Sequence, residues 1–218
     1  MSKGFTMQLS YTYSKAMEAS SFLNGGDPVP TEMIASVDRP HYLGLSAIYE
    51  LPVGRGRALF GHIPRLADTL VGGWQLQGVY RFQSGEPLGF SNPLMDWTKC
   101  SSFRDVALPS DQRNYRKWFN TSCFVTASNL QLSYNLQTVP TLWSWLRGDA
   151  LNVMDLAGIK TFKLKERVSL EFKLEIQNAM NREWLGSFAN NPTSGTFGQA
   201  GAERSAPRRV YWSGRLTF

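Results

Sequence analysis

The 218-residue sequence has no run of about 18 consecutive apolar residues, so it contains no candidate transmembrane helix. This absence does not exclude a membrane, because barrel strands alternate apolar and polar residues and give no hydropathy peak. The first seven residues also lack the apolar segment of a signal peptide. Export would therefore need a leader further upstream, which predicts that the chain is a piece of a longer protein.

Charge, cysteine and histidine are also scarce. Charged residues make up only 18% of the chain, and cysteine and histidine occur twice each. Two cysteines and two distant histidines exclude the usual metal motifs, so we expect no metal and no cofactor. Cys100 and Cys123 lie in one long polar segment, where they could form a loop disulfide or remain two free thiols.

The net charge of +6 comes from 23 basic and 17 acidic residues. A basic balance often indicates nucleic-acid binding, which requires the cations to cluster on one surface. Here Lys and Arg are dispersed along the chain. We therefore expect no nucleic-acid partner.

Aromatic residues are abundant, at 13% of the chain, and include seven Trp and eight Tyr. Such amphipathic rings suit membrane–water interfaces. The last ten residues alternate strictly, with Val210, Trp212, Leu216 and Phe218 on one side of a predicted strand. A strand with one apolar face that stops on an aromatic residue is typical of an outer-membrane barrel.

Six segments have the alternation of strands. They are residues 5–14, 42–51, 74–83, 152–162, 168–177 and 209–218, of which 152–162 alternates poorly. Alternation alone fits a soluble sandwich as well as a barrel, but about ten residues is the length that crosses a bilayer. We therefore predict an all-β fold: a segment of an antiparallel transmembrane barrel with about six long strands.

The connections between these strands alternate in length. A short turn at 163–167 contrasts with three long connections, the longest of which covers residues 88–150. Short turns at one end and long extracellular loops at the other are the outer-membrane pattern. One connection on the short-turn side, 52–73, is an exception, and residues 63–71 within it predict one or two helical turns at the membrane surface.

Four tryptophans of the longest loop are the candidate ligand contacts: Trp97, Trp118, Trp143 and Trp145. They could stack on a sugar or peptide ligand. The alternative is that they stabilise a folded loop.

The sequence Asp38-Arg39-Pro40-His41 could be an acid–histidine cluster of an outer-membrane hydrolase. No nucleophile spacing accompanies it, so we favour a loop-to-strand junction in which Asp38 and Arg39 pair locally. Residues 54–57 lack the ending of a phosphate-binding loop and indicate a turn, whose Arg55 and Arg57, with Arg65, could meet anionic lipid head groups. We expect no enzymatic activity and no catalytic residue.

A series of phrases resembles one known family. They are LSYTYSKA (9–16), DRPH (38–41), YELPVGRG (49–56), GGWQL (72–76), QSGEPL (83–88), WFNT (118–121), EFKLEIQNAMN (171–181) and the final strand. In this order they resemble the C-terminal part of the barrel of Oar-like TonB-dependent transporters, which carry an N-terminal carboxypeptidase-regulatory-like domain.

The resemblance implies a barrel of about 22 strands with an internal plug and coupling to TonB. Residues 1–218 would be its C-terminal portion, without plug or signal peptide, located in the outer membrane and contacting its lipid. The remaining N-terminal barrel and plug would be partners, and Phe218 would be the terminal residue read by the membrane-insertion machinery. The whole protein would take up a bulky nutrient; the alternative is a self-contained small barrel, in the outer membrane or soluble, that acts as an adhesin or binding module.

Overall fold

The computed structural model describes residues 4–132, 134–165, 167–201 and 204–218. In chain order its helix and strands are β1 (Phe5–Tyr13), β2 (Met17–Glu18), β3 (Met33–Ile34), β4 (His41–Glu50), α1 (Arg65–Val71), β5 (Trp74–Gln83), β6 (Pro87–Gly89), β7 (Leu142–Arg147), β8 (Leu151–Lys165), β9 (Val168–Gln177) and β10 (Arg209–Thr217). Four 3-10 turns lie between β6 and β7.

The six long strands form one sheet in the order β1-β4-β5-β8-β9-β10, and every neighbouring pair is antiparallel. The all-β fold and the six predicted strands are confirmed. The sheet is not closed: within the described residues, β1 and β10 each pair on one side only.

The largest boundary difference is at β8, which extends from Leu151 to Lys165 rather than over 152–162. Its residues 151–160 pair with β5, whereas residues 156–165 pair with β9, so the strand must extend past each partner in turn. Its alternation is poor because Val153, Ala157 and Ile159 place apolar side chains on the otherwise polar side of the sheet.

One side of the sheet, here called the apolar face, carries the odd-numbered residues of β1 and β4 and the even-numbered residues of the other four strands. The register keeps these residues opposite one another, as with Leu9 beside Leu45 and Leu45 beside Tyr80. The polar residues on this face lie near its two ends: His41, Asn152 and Lys160. Between them the face is a continuous apolar band, as expected for a surface in contact with lipid.

The opposite side, the polar face, is rich in Gln, Ser, Thr and charged residues. Arg81 of β5 pairs with Asp155 of β8 at 3.3 Å, and Lys173 pairs with Glu175 along β9 at 3.0 Å. All four side chains are partly exposed, so these pairs contribute little to stability.

The connections confirm the predicted asymmetry. The described residues of 14–40, 84–150 and 178–208 all lie at one end of the sheet and form what we call the loop cap. The opposite end, the turn end, holds the C-terminal end of β8, the start of β9 and the 51–73 connection. The predicted helical turns are found as α1, which begins after Pro64 and ends at Gly72. Within the described residues, no helix combines the length and apolarity required to cross a membrane.

The buried core lies in the loop cap rather than in the sheet. It is formed by Phe90, Met95, Cys100, Val106, Trp118, Phe119, Cys123, Phe124, Trp143 and Leu146. The three cap connections also hydrogen-bond to one another; the Asn24 side chain, for example, accepts the Gln137 N–H at 2.7 Å and donates to the Gln137 carbonyl. The cap is therefore a folded unit and not a set of independent loops.

A two-stranded ribbon, β6–β7, connects the cap to the sheet. Gly89 lies directly against the Thr141 carbonyl, and a Cβ at position 89 would collide with it. Gly85 makes the same kind of approach to the Gly148 carbonyl. Only glycine permits the ribbon to pack this closely.

Candidate functional site

The longest cap connection is held by a disulfide between Cys100 and Cys123, whose Cα atoms are 5.3 Å apart. Of the two predicted alternatives, the paired one is confirmed. Asp105 organises the adjoining turn, since its carboxylate accepts the backbone N–H groups of Ser101 and Ser102 and the Ser101 hydroxyl. These hydrogen bonds, led by the one from the Ser101 hydroxyl, hold the pKa of Asp105 below its usual value.

An aromatic cluster fills the cap. Phe90 lies at its centre, with ring centroids 4.7 Å from Phe124, 5.0 Å from Trp143 and 5.2 Å from Phe119. Edge-to-face and tilted contacts between aromatic rings stabilise the fold beyond the contribution of the apolar surface that they bury. The cluster therefore holds the outer surface of the loop cap in one conformation.

The four candidate tryptophans occupy different environments. Trp143 is completely buried and stacks on Trp145 at 5.5 Å, so its indole packs as core. Trp97 is 56% exposed and meets the edge of Phe103, which in turn contacts Trp143.

Trp118 belongs to the same buried core as Trp143 and borders a cavity. It is buried against Phe188, and its indole N–H donates to the Arg147 carbonyl at 2.9 Å. The structure thus brings together Trp143 and Trp145, and leaves Trp97 and Trp118 next to accessible space. Ligand contact remains a prediction for these residues.

Ion pairs join the three cap connections. The buried carboxylate of Asp38 pairs with Arg147 at 2.7 Å, and Glu86 pairs with both Arg39 and Arg204. The predicted local ion pair between the Asp38 and Arg39 side chains is therefore wrong, although the Arg39 guanidinium donates to the Asp38 backbone carbonyl at 2.9 Å. The reason is that the Asp38 carboxylate, which also accepts the N–H of Ala16, turns inward to β7.

Trp118 lines a cavity of about 780 Å³ between the second and third cap connections. Other lining residues are Arg113, Tyr115, Arg147, Asp149 and Arg182. Asp149 holds two residues of the third cap connection in place at this cavity. Its carboxylate accepts hydrogen bonds from the Arg182 guanidinium at 2.7 Å and from the Leu185 N–H at 3.0 Å.

Arg113 retains free donors in this cavity, as does Arg182, whose buried Nε has no hydrogen-bond partner among the described residues. The Nε of Arg113 donates to the Leu108 carbonyl at 2.6 Å, and its guanidinium lies over the Trp118 ring at 5.8 Å. Within the described part of the chain, no carboxylate forms an ion pair with it. Burial lowers the pKa of Arg113 from its usual value, although an arginine still stays charged.

Sequence reasoning missed Arg113, Arg147 and Arg182 as cavity residues. No motif marks them, because they come from two connections far apart in the chain. Their only signal is that they are arginines in the predicted long loops, which does not separate a cavity wall from a solvated surface.

A second cavity, of about 400 Å³, lies under the cap on the polar face. Arg81 and Asp155 of the sheet line one side of it, and Trp184 and Arg204 of the third connection line the other. In a barrel this face surrounds the lumen. The first cavity differs in position, since among the described residues Phe82 is the one residue of the six-stranded sheet that lines it and its other lining residues belong to the loop cap.

The remaining candidates lie outside both cavities. His41 begins β4, where its Nδ1 is 2.8 Å from the Tyr11 hydroxyl and its ring packs on Tyr13. Phe218 directly follows β10 and is 93% exposed. Among the described residues, no three His, Cys, Asp or Glu side chains converge as metal ligands would.

We compared the chain with known proteins and protein families. No curated protein and no solved structure matches the chain. Residues 1–211 match the outer membrane beta barrel domain family. With nearly the whole chain matched, and with an apolar face fit for lipid, the chain belongs to the outer membrane beta barrel domain family and resides in the outer membrane.

Proposed function

We propose that the chain is the barrel portion of a TonB-dependent outer-membrane receptor that takes up a bulky nutrient. The observation that carries the proposal is a six-stranded membrane sheet with two free edges beneath a folded, cavity-bearing loop cap. A transporter needs both parts, since the sheet supplies a wall and the cap supplies a surface for capture.

The free edges indicate how the wall is completed. Unpaired backbone N–H and C=O groups cost several kcal/mol each in lipid, so an open sheet needs further strands. Known outer-membrane barrels have at least about eight strands. Strands of the remaining N-terminal barrel would pair with β1 and β10, and the polar face would then surround the plug that is coupled to TonB.

The cap would face the cell exterior, as long loops do in this class of barrel. In the larger cavity, the Arg113 guanidinium lies over the Trp118 ring, and Tyr115 also lines the wall. A guanidinium next to aromatic rings suits a ligand with an anionic group and a flat or ring-shaped portion. The cap would thus provide part of the initial binding site.

Uptake by cells that carry or lack the gene tests the proposal. A panel of labelled oligosaccharides, oligopeptides and siderophores would be offered with and without a protonophore, which abolishes TonB energy coupling. We expect the uptake of at least one compound to be lost both on gene deletion and on protonophore treatment.

Surface binding without uptake, unchanged by the protonophore, would contradict the transporter. It would support the alternative, an adhesin or binding module, for which the folded cap with its exposed Trp97 is a sufficient binding surface.

A further inference from the structure

We propose that residues 52–73, here called the α1 segment, form a membrane-surface anchor that binds anionic phospholipid head groups at the turn end of the sheet. This surface lies at the opposite end from the loop cap. The inference rests on membrane placement and does not depend on the nutrient-uptake proposal.

Two side chains of the apolar face fix the position of the helix. The Trp74 indole N–H, from the first residue of β5, donates to the Leu70 carbonyl at 3.0 Å. The Lys160 ammonium, from β8, donates to the Gly72 carbonyl. These carbonyls belong to the last turn and C-cap of α1, so the helix end is held on the lipid side of the sheet and not on the polar face.

The helix exposes apolar side chains at this position. No residue of α1 is buried; Leu66 is 85% exposed and Leu70 is 70% exposed. Residues four apart lie on the same side of a helix, so these two leucines form one apolar strip. Phe60, which is 65% exposed, extends the apolar surface before the helix.

The charges of the α1 segment point to an anionic partner. Arg55, Arg57 and Arg65 are exposed, and no ion pair engages them within the described residues. The one carboxylate of the segment, Asp68, accepts the backbone N–H of Arg55 at 2.6 Å. Arginines beside exposed leucines are typical of helices that lie in the head-group layer.

Because the α1 segment adjoins the apolar band, the partner that covers its exposed side is lipid. Trp74 and its partner Lys160 are the last pair of β5 and β8 at the turn end, both on the apolar face, and α1 is attached to them. A segment held there lies where hydrocarbon gives way to phosphate groups, and each exposed arginine gains from nearby anionic lipid.

A fluorophore at position 66 tests the anchor. Both native cysteines are in the disulfide, so Leu66→Cys introduces the single free thiol. The full-length protein with its complete barrel, labelled with nitrobenzoxadiazole, would be inserted into vesicles of phosphatidylethanolamine and phosphatidylglycerol. We expect blue-shifted emission and strong quenching by lipids brominated near the glycerol end of the acyl chain.

Leu136→Cys is the matched control, because Leu136 is also a strongly exposed leucine, 78%, but lies in the loop cap. Its label should emit as in water and resist quenching. Equal emission and quenching at positions 66 and 136 would overturn the proposal. So would a shielded label at position 66 that brominated lipid does not quench, because a protein would then cover the helix.

The head-group charge is tested separately with the triple variant Arg55→Gln/Arg57→Gln/Arg65→Gln carrying the same label. In the parent, quenching at position 66 should be at least twofold stronger with phosphatidylglycerol than in vesicles of phosphatidylcholine alone. The triple variant should lose this difference. Retention of the full difference would refute anionic lipid binding, and heat-modifiable migration on a gel would verify that each variant has folded.

Discussion

Single side chains with several partners hold the loop cap in shape. Asp105 is the clearest case, since one carboxylate oxygen receives three hydrogen bonds from Ser101 and Ser102. Such bonds favour the ionised carboxylate. The stability of this turn is therefore linked to pH.

The sign of the pH dependence follows from the lowered pKa of Asp105, which is caused first by the Ser101 hydroxyl. A carboxyl whose pKa is lower in the folded state stabilises it above the unfolded pKa, near 3.8. That stabilisation is lost as the pH falls through the folded pKa. We expect the cap of the native protein to loosen as the pH falls below about 3.8 and through the lower folded-state pKa of Asp105, as measured by limited proteolysis with an acid protease.

Two variants separate Asp105 from other acids. Asp105→Asn cannot ionise, so its cap should be less stable at neutral pH and show a smaller change on acidification. Ser101→Ala removes the first donor and should lie between that variant and the native protein. An unchanged pH profile in Asp105→Asn would show that other groups control the transition.

The disulfide between Cys100 and Cys123 also stabilises the loop cap. It closes a loop between residues separated by 23 positions. Replacing both Cys100 and Cys123 with serine should lower the free energy of unfolding of the cap by about 3 kcal/mol. Urea unfolding followed by tryptophan fluorescence measures the change.

Reductant provides the control for the disulfide. It should destabilise the native protein to a similar extent and leave the double-serine variant unaffected. Equal stability of the native and double-serine proteins would show that the aromatic cluster alone holds the loop.

At the scale of elements, the β6–β7 ribbon depends on a close backbone approach. Gly89→Ala would place a methyl group against the Thr141 carbonyl, so the ribbon must shift. We expect a loss of about 2 kcal/mol in the free energy of unfolding of the cap, measured by urea unfolding. Gly25→Ala is the matched control, since a Cβ there meets no atom within 4 Å; its effect should stay within about 0.5 kcal/mol.

The elements also show how far sequence reasoning reaches. β9 was predicted with its observed bounds, Val168–Gln177, because its side chains alternate cleanly between the two faces. β8 was predicted three residues too short at its C-terminal end, because apolar residues on its polar face obscure the alternation. Periodicity is a local signal, so it succeeds where the two faces of a strand meet different surroundings.

The loop cap could not be predicted in this way. Phe90 and Phe197 are in contact although more than 100 residues separate them, and the partner of Asp38 is Arg147. Such contacts leave no period in the sequence. The presence of long loops was predictable, whereas their common core and the cavity arginines were not.

At the scale of the whole molecule, the Asp38–Arg147 pair ties the first cap connection to the second. Asp38 is 1% exposed, so Asp38→Asn leaves the Arg147 guanidinium without its counter-charge. We expect a loss of about 3 kcal/mol in the free energy of unfolding, measured by thermal or urea unfolding. Arg81→Gln is the control, because it breaks a half-exposed ion pair on the sheet and should lower the free energy of unfolding by less than about 1 kcal/mol. Equal losses in both variants would show that the buried cap pair stabilises the fold no more than an exposed one.

The free edges give a prediction for the assembled protein. If further strands pair with β1 and β10 in the outer membrane, the amides of both edges should exchange hydrogen slowly there. In the isolated chain, alternate amides of these two strands should exchange quickly, while those of central β5 remain protected. Fast exchange of both edges in native membranes, measured by mass spectrometry of peptides, would show that the sheet remains open.

The apolar band also sets a hydrophobic thickness. On β9 its outermost apolar residues, Val168 and Ile176, are eight residues apart, or about 26 Å along a strand at 3.3 Å per residue. With a strand tilt of about 40°, this corresponds to roughly 20 Å of hydrocarbon, less than the roughly 30 Å of an average bilayer. The sheet thus matches a thin membrane, which bacterial outer membranes are, and in a thicker bilayer the adjoining lipids would have to compress toward it.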